Sequence, residues 1–197
     1  MNVVWFKRDL RIIGNEALLE ASKRGPVLPL YILEKELWQE PDLSYRHYIF
    51  LRDCLNELSQ SLRVLGQDLI LKIGNAQKIL QDIHISHNIQ TLWSHQETWN
   101  GWTLERDKLV KSWTQKNGIE FIELPQNGVI RRLKDRNGWA AKWYKRMKKP
   151  LCDSPKKLQS INQTSDEIPS AFDLGLHYDN CKYPQKGGRS EGLKLLN

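Results

Sequence analysis

Three cations and one carboxylate lie together near the N-terminus, directly after a short apolar run. Residues 7–11 read Lys-Arg-Asp-Leu-Arg, so Arg8 and Arg11 flank the carboxylate of Asp9. Guanidinium groups suit phosphate and carboxylate ligands because their planar fork of N–H donors matches two anionic oxygens. The segment is therefore either a site for an anionic ligand or an Arg–Asp network that braces its own loop. The sequence leaves both interpretations open.

A second segment rich in chemically useful side chains spans residues 94–102, Ser-His-Gln-Glu-Thr-Trp-Asn-Gly-Trp, and leads to Arg106 and Asp107. Indole rings stack on planar ligands, and a carboxylate such as Glu97 accepts hydrogen bonds from ring N–H groups. The segment is typical of a pocket for a flat aromatic ligand. The alternative is that its two indoles only pack against the edge of a sheet.

Common phosphate-binding and metal-binding motifs are absent from the sequence. It contains no G-x-G-x-x-G after its first apolar run and no G-x-x-x-x-G-K-[ST], which disfavours dinucleotide dehydrogenases and P-loop enzymes. His84 and His87 form an HxxH pair, but no third ligand follows at a useful spacing. We therefore predict no metal site and no catalytic residue.

The first 125 residues alternate between short apolar runs and helical patterns, and this alternation must position both segments. Runs rich in β-branched and aromatic residues predict buried strands at 2–6, 27–33, 68–73, 90–94 and 119–123. Apolar spacings of three and four predict helices between them, at 15–24, 46–66, 75–87 and 103–118. The pattern predicts an α/β fold: a Rossmann-like, doubly wound, five-stranded parallel sheet with helices on both faces. Ligands of such sheets bind at the carboxyl ends of the strands, near the switch in strand order.

Beyond residue 125 the alternation ends. Residues 138–149 predict a basic amphipathic helix, in which Trp139 and Trp143 either pack on the α/β body or form a contact surface. Residues 151–172 are rich in Ser, Pro, Asn, Gln and Lys, which predicts an extended C-terminal connector. The predicted division is an α/β domain at 1–125 and a basic helix with connector at 126–197.

The net charge of +7 is concentrated in one segment. Arg131–Lys157 carries eleven basic and two acidic residues, a balance of +9, so the rest of the chain carries −2. A basic segment of this kind attracts polyanions, and nucleic acid is the first candidate. The alternatives are a solvated helix face and a surface that docks onto an acidic partner.

The composition bounds the cellular setting. The chain has 197 residues, of which 40% are hydrophobic and 27% charged, as in ordinary globular proteins. No window approaches the roughly 18 uninterrupted apolar residues of a membrane span, and charge follows the N-terminal apolar run too soon for a signal peptide. Three separated cysteines without a CxxC pair favour reduced thiols. We therefore expect a cytoplasmic protein without a membrane partner.

Several sequence blocks, in register along essentially the whole chain, resemble the DNA photolyase/cryptochrome family. The N-terminal block is residues 4–11, Val-Trp-Phe-Lys-Arg-Asp-Leu-Arg, and the block after the fourth predicted strand is residues 95–98, His-Gln-Glu-Thr. Residues 186–191, Lys-Gly-Gly-Arg-Ser-Glu, are similar to the stretch that opens the family's helical domain. Further matching blocks lie at 15–18, 27–33, 62–66, 102–107, 128–131 and 136–139.

The resemblance implies that this chain is the N-terminal α/β, light-harvesting domain of a photolyase or cryptochrome flavoprotein. In that family a C-terminal helical domain holds FAD, which drives repair of pyrimidine dimers in DNA under blue light or serves photoreception. The FAD-binding helical domain is thus an implied partner, in the same chain or as a separate one, and no catalysis is expected from these residues alone. Because the family's connector wraps the body and leads into that domain, the resemblance also implies that the chain from about Leu151 onward is loosely held here and is cut first by proteases. The alternative is a free-standing module that binds a nucleotide or a protein partner through the basic helix.

The resemblance also implies a chromophore pocket built by the loops after the first and fourth strands and by the start of the second helix. Its implied residues are Phe6, Arg8, Asp9, Arg11, Arg46 and Glu97, with Arg11 and Arg46 facing anionic groups of the ligand and Glu97 accepting from a ring nitrogen. Gly14 stands where the family usually has Asp, and Trp102-Thr103 stands where folate-binding members have Asn-Glu. A deazaflavin or flavin is therefore favoured over a folate.

Overall fold

The sheet has the predicted parallel architecture. The computed structural model describes residues 1–131 and 133–196; Arg132, inside the predicted basic segment, and Asn197 lie outside the described residues. Five strands pair in the order β3-β2-β1-β4-β5, and every ladder between them is parallel. The strands are β1 (Asn2–Phe6), β2 (Val27–Leu33), β3 (Ile70–Ile73), β4 (Thr91–His95) and β5 (Glu120–Leu124).

Helices separate the strands, and three of the helices begin at an asparagine. Asn15, Asn75 and Asn100 each accept a hydrogen bond from the backbone N–H three residues further on, which satisfies one of the free donors at a helix start. Two short 3-10 helices, Lys35–Gln39 and Phe172–Leu174, were not predicted. The α-helices are α1 (Glu16–Lys23), α2 (Tyr45–Val64), α3 (Ala76–His87), α4 (Gly101–Lys116), α5 (Trp139–Met147) and α6 (Arg189–Leu196).

The two faces of the sheet carry separate hydrophobic cores. Val4 and Phe6 of β1 join the core that contains buried side chains of α1 and α2. Val3 and Trp5 point to the other face, as successive strand residues must, and join the core with α3 and α4. Because helices cover both faces of the sheet, the strands are nearly continuous apolar runs in the sequence.

The strand order changes direction at β1. Its chain neighbour β2 lies on one side of it, whereas β4 lies on the other. The loops that follow β1 and β4 consequently diverge over a crevice at the carboxyl ends of these two strands, the position at which open α/β sheets bind ligands.

The connector after α5 lies against the sheet edge formed by β3. The backbone N–H of Leu71 donates to the hydroxyl of Ser165 at 2.9 Å, and the N–H of Ile73 donates to the carboxylate of Asp166 at 2.9 Å. Leu158 is 3% exposed and belongs to the core on the α1–α2 face. The expectation that the whole connector is loosely held is therefore wrong for this stretch, because its side chains replace strand partners that β3 lacks.

Helix α5 forms as predicted, but none of its residues is buried. Trp139 is 36% exposed and neither indole belongs to either core, so the interpretation of these two rings as core is wrong. Trp143 instead packs on Gly128, where a Cβ would overlap its ring. Among the described helices, none combines the length and the apolar character that crossing a membrane requires.

Candidate functional site

A cavity of about 720 Å³ opens at the carboxyl ends of β1 and β4, and we call it the switch-point cavity. Its volume lies within the range of small-molecule binding sites. Four of the six implied chromophore residues line it: Phe6, Arg8, Arg11 and Glu97. The structure therefore brings together side chains that are separated by about 90 positions in the sequence.

Glu97 and Arg8 face each other across the mouth of the cavity. The Arg8 guanidinium lies 3.8 Å from Glu97 Oε1 and 5.0 Å from the centre of the Trp99 ring. The Glu97 side chain is 6% exposed, and Oε1 accepts a hydrogen bond from the N–H of Thr98 at 2.9 Å. The Arg131 guanidinium donates hydrogen bonds to the backbone carbonyl oxygen of Glu97. Among the described residues, the other carboxylate oxygen of the buried Glu97 has no hydrogen-bond partner and can accept from a ligand donor.

Asp9 does not line the cavity; it braces the loop beneath it. Its carboxylate lies 2.5 Å from Nδ1 of His95 and accepts hydrogen bonds from Asn15 Nδ2 at 3.1 Å and from the N–H of Lys7 at 3.0 Å. Burial acts to raise the pKa of Asp9, but its interaction with His95 and hydrogen bonds from backbone N–H groups outweigh burial and lower the pKa. One interpretation of this loop was a network that braces it, and the structure contains such a network. The partners of Asp9 in it are His95 and Asn15 rather than arginines.

Arg46 also lies outside the cavity lining. It is exposed at the start of α2, whereas His47, Phe50, Leu51 and Cys54 of the same helix line the cavity. Their spacing of three and four residues is a helix-face signal that the sequence carried, next to the stripe of buried leucines.

A buried network of ion pairs forms the floor of the cavity, and it was not predicted from the sequence. Lys7 Nζ lies 2.7 Å from Asp107, and Arg106 lies 3.0 Å from Asp107 and 2.9 Å from Glu34. The ring of Trp5 has Lys7 at 4.5 Å and Arg106 at 4.8 Å from its centre. The sequence signals were that Lys7 and Glu34 directly follow strands and that the segment after β4 leads to Arg106 and Asp107.

The network shifts the pKa values of its members in physically distinct ways. Burial lowers the pKa of Lys7, which Asp107 only partly offsets. Burial also raises the pKa of Glu34. For Arg106, burial opposes the charged form, but the carboxylates of Asp107 and Glu34 outweigh it and raise the pKa. The two buried cations under the cavity are therefore matched by two buried carboxylates.

Helix α6 closes one side of the cavity, which the sequence did not predict. Arg189 and Leu193 are among its lining residues. Residues 188–192 read Gly-Arg-Ser-Glu-Gly, which matches the hydrolase pattern G-x-S-x-G in letters. In the described part of the chain no strand leads into them, however, and Ser190 Oγ donates to Glu57 at 2.6 Å, so this serine is not a nucleophile on a strand-to-helix turn.

The arrangement suits a planar ligand with an anionic group. Indole and phenyl rings line the walls, Glu97 offers an acceptor, and the lining cations outnumber the lining carboxylates, Asp42 and Glu97. Within residues 1–131 and 133–196, no cluster of His, Cys, Asp and Glu side chains could hold a metal ion. This geometry offers binding of a planar, anionic ligand.

Comparisons with known sequences find relatives of this chain over most of its length. The family model described as DNA photolyase matches residues 2–165. A chloroplastic/mitochondrial cryptochrome DASH from Oryza sativa subsp. japonica is 28% identical over 211 residues, covering 98% of this chain and 34% of the rice protein. A deoxyribodipyrimidine photo-lyase from Agrobacterium fabrum is 34% identical over 119 residues, covering 59% of this chain and 24% of that protein. The chain spans about a third or less of the length of these two relatives.

Solved structures share the fold. A bacterial class III photolyase from Agrobacterium tumefaciens superimposes with a TM-score of 0.76 at 25% identity, covering 99% of this chain and 43% of that one. An archaeal photolyase from Sulfolobus tokodaii, solved with two FAD molecules, gives a TM-score of 0.75 at 23% identity and covers 100% of this chain and 46% of its own. The predicted α/β fold is confirmed.

Proposed function

We propose, because this chain belongs to the DNA photolyase family, that its switch-point cavity binds a light-harvesting chromophore. The observation that carries the proposal is the cavity itself, which lies at the strand-order switch between β1 and β4 and is lined by Phe6, Arg8, Arg11 and Glu97. When bound, such a chromophore absorbs near-ultraviolet or blue light and passes the excitation to a second pigment.

Each residue has a distinct part in holding the chromophore. Phe6 and the neighbouring aromatic side chains bury the ring system, and Glu97 accepts a hydrogen bond from a ring N–H. Arg11 neutralises an anionic group, while Asp9 keeps the loop of Arg8 and Arg11 in place through His95. Arg46 takes part if the ligand extends beyond the cavity, past His47.

A deazaflavin or flavin fits this cavity better than a folate. Thr103 lines the cavity at the place where the folate-binding pattern requires a carboxylate, and Trp102 lies beside Arg106, 5.8 Å from its guanidinium. The buried acceptor Glu97 suits a tricyclic ring that presents one N–H edge. Arg8, stacked on Trp99, supplies a flat cationic surface next to it.

We further propose that this domain works with a helical FAD-binding domain, in the same chain or a separate one, in blue-light-driven pyrimidine-dimer repair or photoreception. The family membership and the short span relative to its relatives support this. DNA contact through Arg131–Lys157, and a cytoplasmic setting with reduced thiols, belong to the same proposal.

Uptake of pigment by the purified chain tests the chromophore site. We expect saturable binding of riboflavin or a deazaflavin, followed by absorbance and by quenching of ligand fluorescence, and weaker binding of a folate. Glu97→Gln removes a charged acceptor, so we expect the affinity to fall by about tenfold to a hundredfold.

Glu20→Gln is the matched control, because Glu20 is a surface carboxylate of α1 that pairs with Lys23 and does not line the cavity. Its affinity should equal that of the unmodified chain. Absence of any saturable pigment uptake, in a chain shown to be folded by circular dichroism, contradicts the proposed function.

A further inference from the structure

We infer that α6 belongs to the chromophore site and that its Arg189 selects a ligand carrying a phosphate group, an inference that rests on the proposed function. The cavity would then prefer flavin mononucleotide over riboflavin, which has the same ring without the phosphate. None of the six residues implied by the family resemblance lies on α6.

One face of α6 is directed at the cavity. Its lining residues are Arg189, Gly192, Leu193 and Leu196, which recur at intervals of three and four and therefore share a helix face. The two leucines extend the apolar wall, and Arg189 places a cation beside it. The other cation of α6, Lys194, does not line the cavity and is paired with Glu191 at 2.7 Å.

Hydrogen bonds from α2 fix the position of α6. The N–H of Gly188 donates to the Cys54 sulfur at 3.1 Å, and Ser190 donates to Glu57 through its N–H at 3.0 Å and through its hydroxyl at 2.6 Å. A carboxylate thus already occupies the start of α6. An anionic ligand group must therefore be bound by the Arg189 side chain rather than by the helix terminus.

Two glycines permit this close approach. A Cβ on Gly187 would overlap the backbone carbonyl of Phe50, and a Cβ on Gly188 would overlap the carboxylate of Glu57. Gly188 also has a φ of +109°, which side-chain-bearing residues rarely adopt. The pair Gly187-Gly188 therefore presses α6 onto α2 and holds Arg189 at the cavity wall.

The cations of the cavity differ in whether a carboxylate already neutralises them. Lys7 is paired with Asp107, and Arg106 is paired with Glu34. Arg8 lies 3.8 Å from the carboxylate of Glu97. Within residues 1–131 and 133–196, neither Arg189 nor Arg11 forms an ion pair, and the Arg11 guanidinium donates a hydrogen bond to the backbone carbonyl of Gly14 at 3.3 Å.

Two half-buried guanidinium groups on the wall of a largely apolar cavity call for an anion. A phosphate monoester carries nearly two negative charges and three acceptor oxygens, so it suits a guanidinium fork such as that of Arg189 better than a carboxylate does. A ring system with a phosphate-bearing tail would fill the apolar and the cationic parts of the cavity at once.

The test compares flavin mononucleotide with riboflavin on the full chain, by titration of flavin fluorescence. We expect the unmodified chain to bind flavin mononucleotide at least about tenfold more tightly. Arg189→Ala should lower the affinity for flavin mononucleotide by about tenfold to a hundredfold and leave the riboflavin affinity unchanged. Arg189→Lys keeps the charge and should retain part of the preference. Lys194→Ala, the matched control on the same helix, should change neither affinity.

The possible results separate this inference from the proposed function. Equal binding of both flavins by the unmodified chain, or an Arg189→Ala variant that weakens both flavins equally, overturns the selection of phosphate and leaves a chromophore site in place. Failure of the folded chain to bind either flavin overturns both.

Discussion

At the residue scale, the pair formed by Asp9 and His95 holds the loop of residues 7–11, which follows β1, in place. Both side chains are almost fully buried. Asp9 lies in the loop after β1 and His95 ends β4, so their contact joins the two strands at the switch in strand order. Asn15 adds a third contact while its own oxygen caps α1. Loss of the carboxylate charge would therefore loosen the loop, the start of α1 and the end of β4 together.

Because the pKa of Asp9 is lowered in the folded chain, its charged form stabilises the fold at neutral pH, and this contribution is lost as the pH falls below the ordinary value of 3.8 towards the folded value. We expect Asp9→Asn to lower the free energy of unfolding at pH 7 by about 1–3 kcal/mol. The variant should also lose less stability than the unmodified chain on acidification. Urea unfolding at several pH values measures both effects, and parallel pH profiles for the two proteins would argue against this role.

The residues of the site were predictable where they sit together in the sequence and unpredictable where only the fold joins them. Arg8, Arg11 and Glu97 were found because cations or a carboxylate stand in short, unusual loops. The contact between Arg106 and Glu34 was not predicted, because 72 positions separate the two residues and each charge alone is typical of an ordinary surface residue. Pairing across a sheet depends on strand order, which hydrophobic periodicity does not encode.

At the element scale, the connector shows how a polar sequence can be structural. Strands and helices of the α/β body were predicted nearly residue by residue, since burial imposes periods that the sequence must obey. The connector has no such period, because it contributes single apolar anchors such as Leu158 and polar contacts to β3. Its composition is that of a linker, although its contacts are those of a docked element.

We expect Leu158→Ala to lower the free energy of unfolding by about 2–5 kcal/mol, because the side chain is buried against the core and its removal leaves a cavity. Leu151→Ala is the matched control, since Leu151 lies in the same connector and is 76% exposed; it should change stability by at most about 0.5 kcal/mol. Urea denaturation followed by tryptophan fluorescence gives both values. Equal effects of the two changes would show that the connector is not anchored.

At the scale of the whole molecule, charge is divided between a body near neutrality and a segment with a balance of +9. The lysines of α5 and its C-terminal end are exposed, and Trp139, Tyr144 and Met147 of the same helix are also accessible. A cationic surface of this type attracts nucleic acid chiefly through its phosphates, whose neutralisation displaces counterions.

We expect the chain to bind duplex DNA with an affinity that falls steeply as salt is added. Replacing four exposed lysines of this surface by glutamine should reduce the slope of log K against log salt by up to about 0.9 for each phosphate that is no longer neutralised. These lysines are Lys142, Lys145, Lys148 and Lys149. Fluorescence anisotropy with a labelled oligonucleotide measures the slope.

The control for this experiment removes the same number of charges elsewhere, at the exposed Lys23, Lys78, Lys108 and Lys116. If both sets of changes reduce the slope equally, net charge alone attracts DNA and the surface of α5 has no special part. Binding that does not respond to salt would contradict an electrostatic interaction altogether.

The position of the connector along β3 has a consequence for self-association. A chain that stopped at residue 150 would still contain all five strands and the four helices that cover them. It would nevertheless leave Leu71 and Ile73 with unpaired backbone groups on an open edge, and such edges recruit strands from other molecules. The stretch that looks most dispensable in the sequence is therefore what keeps one copy of the sheet from extending into the next.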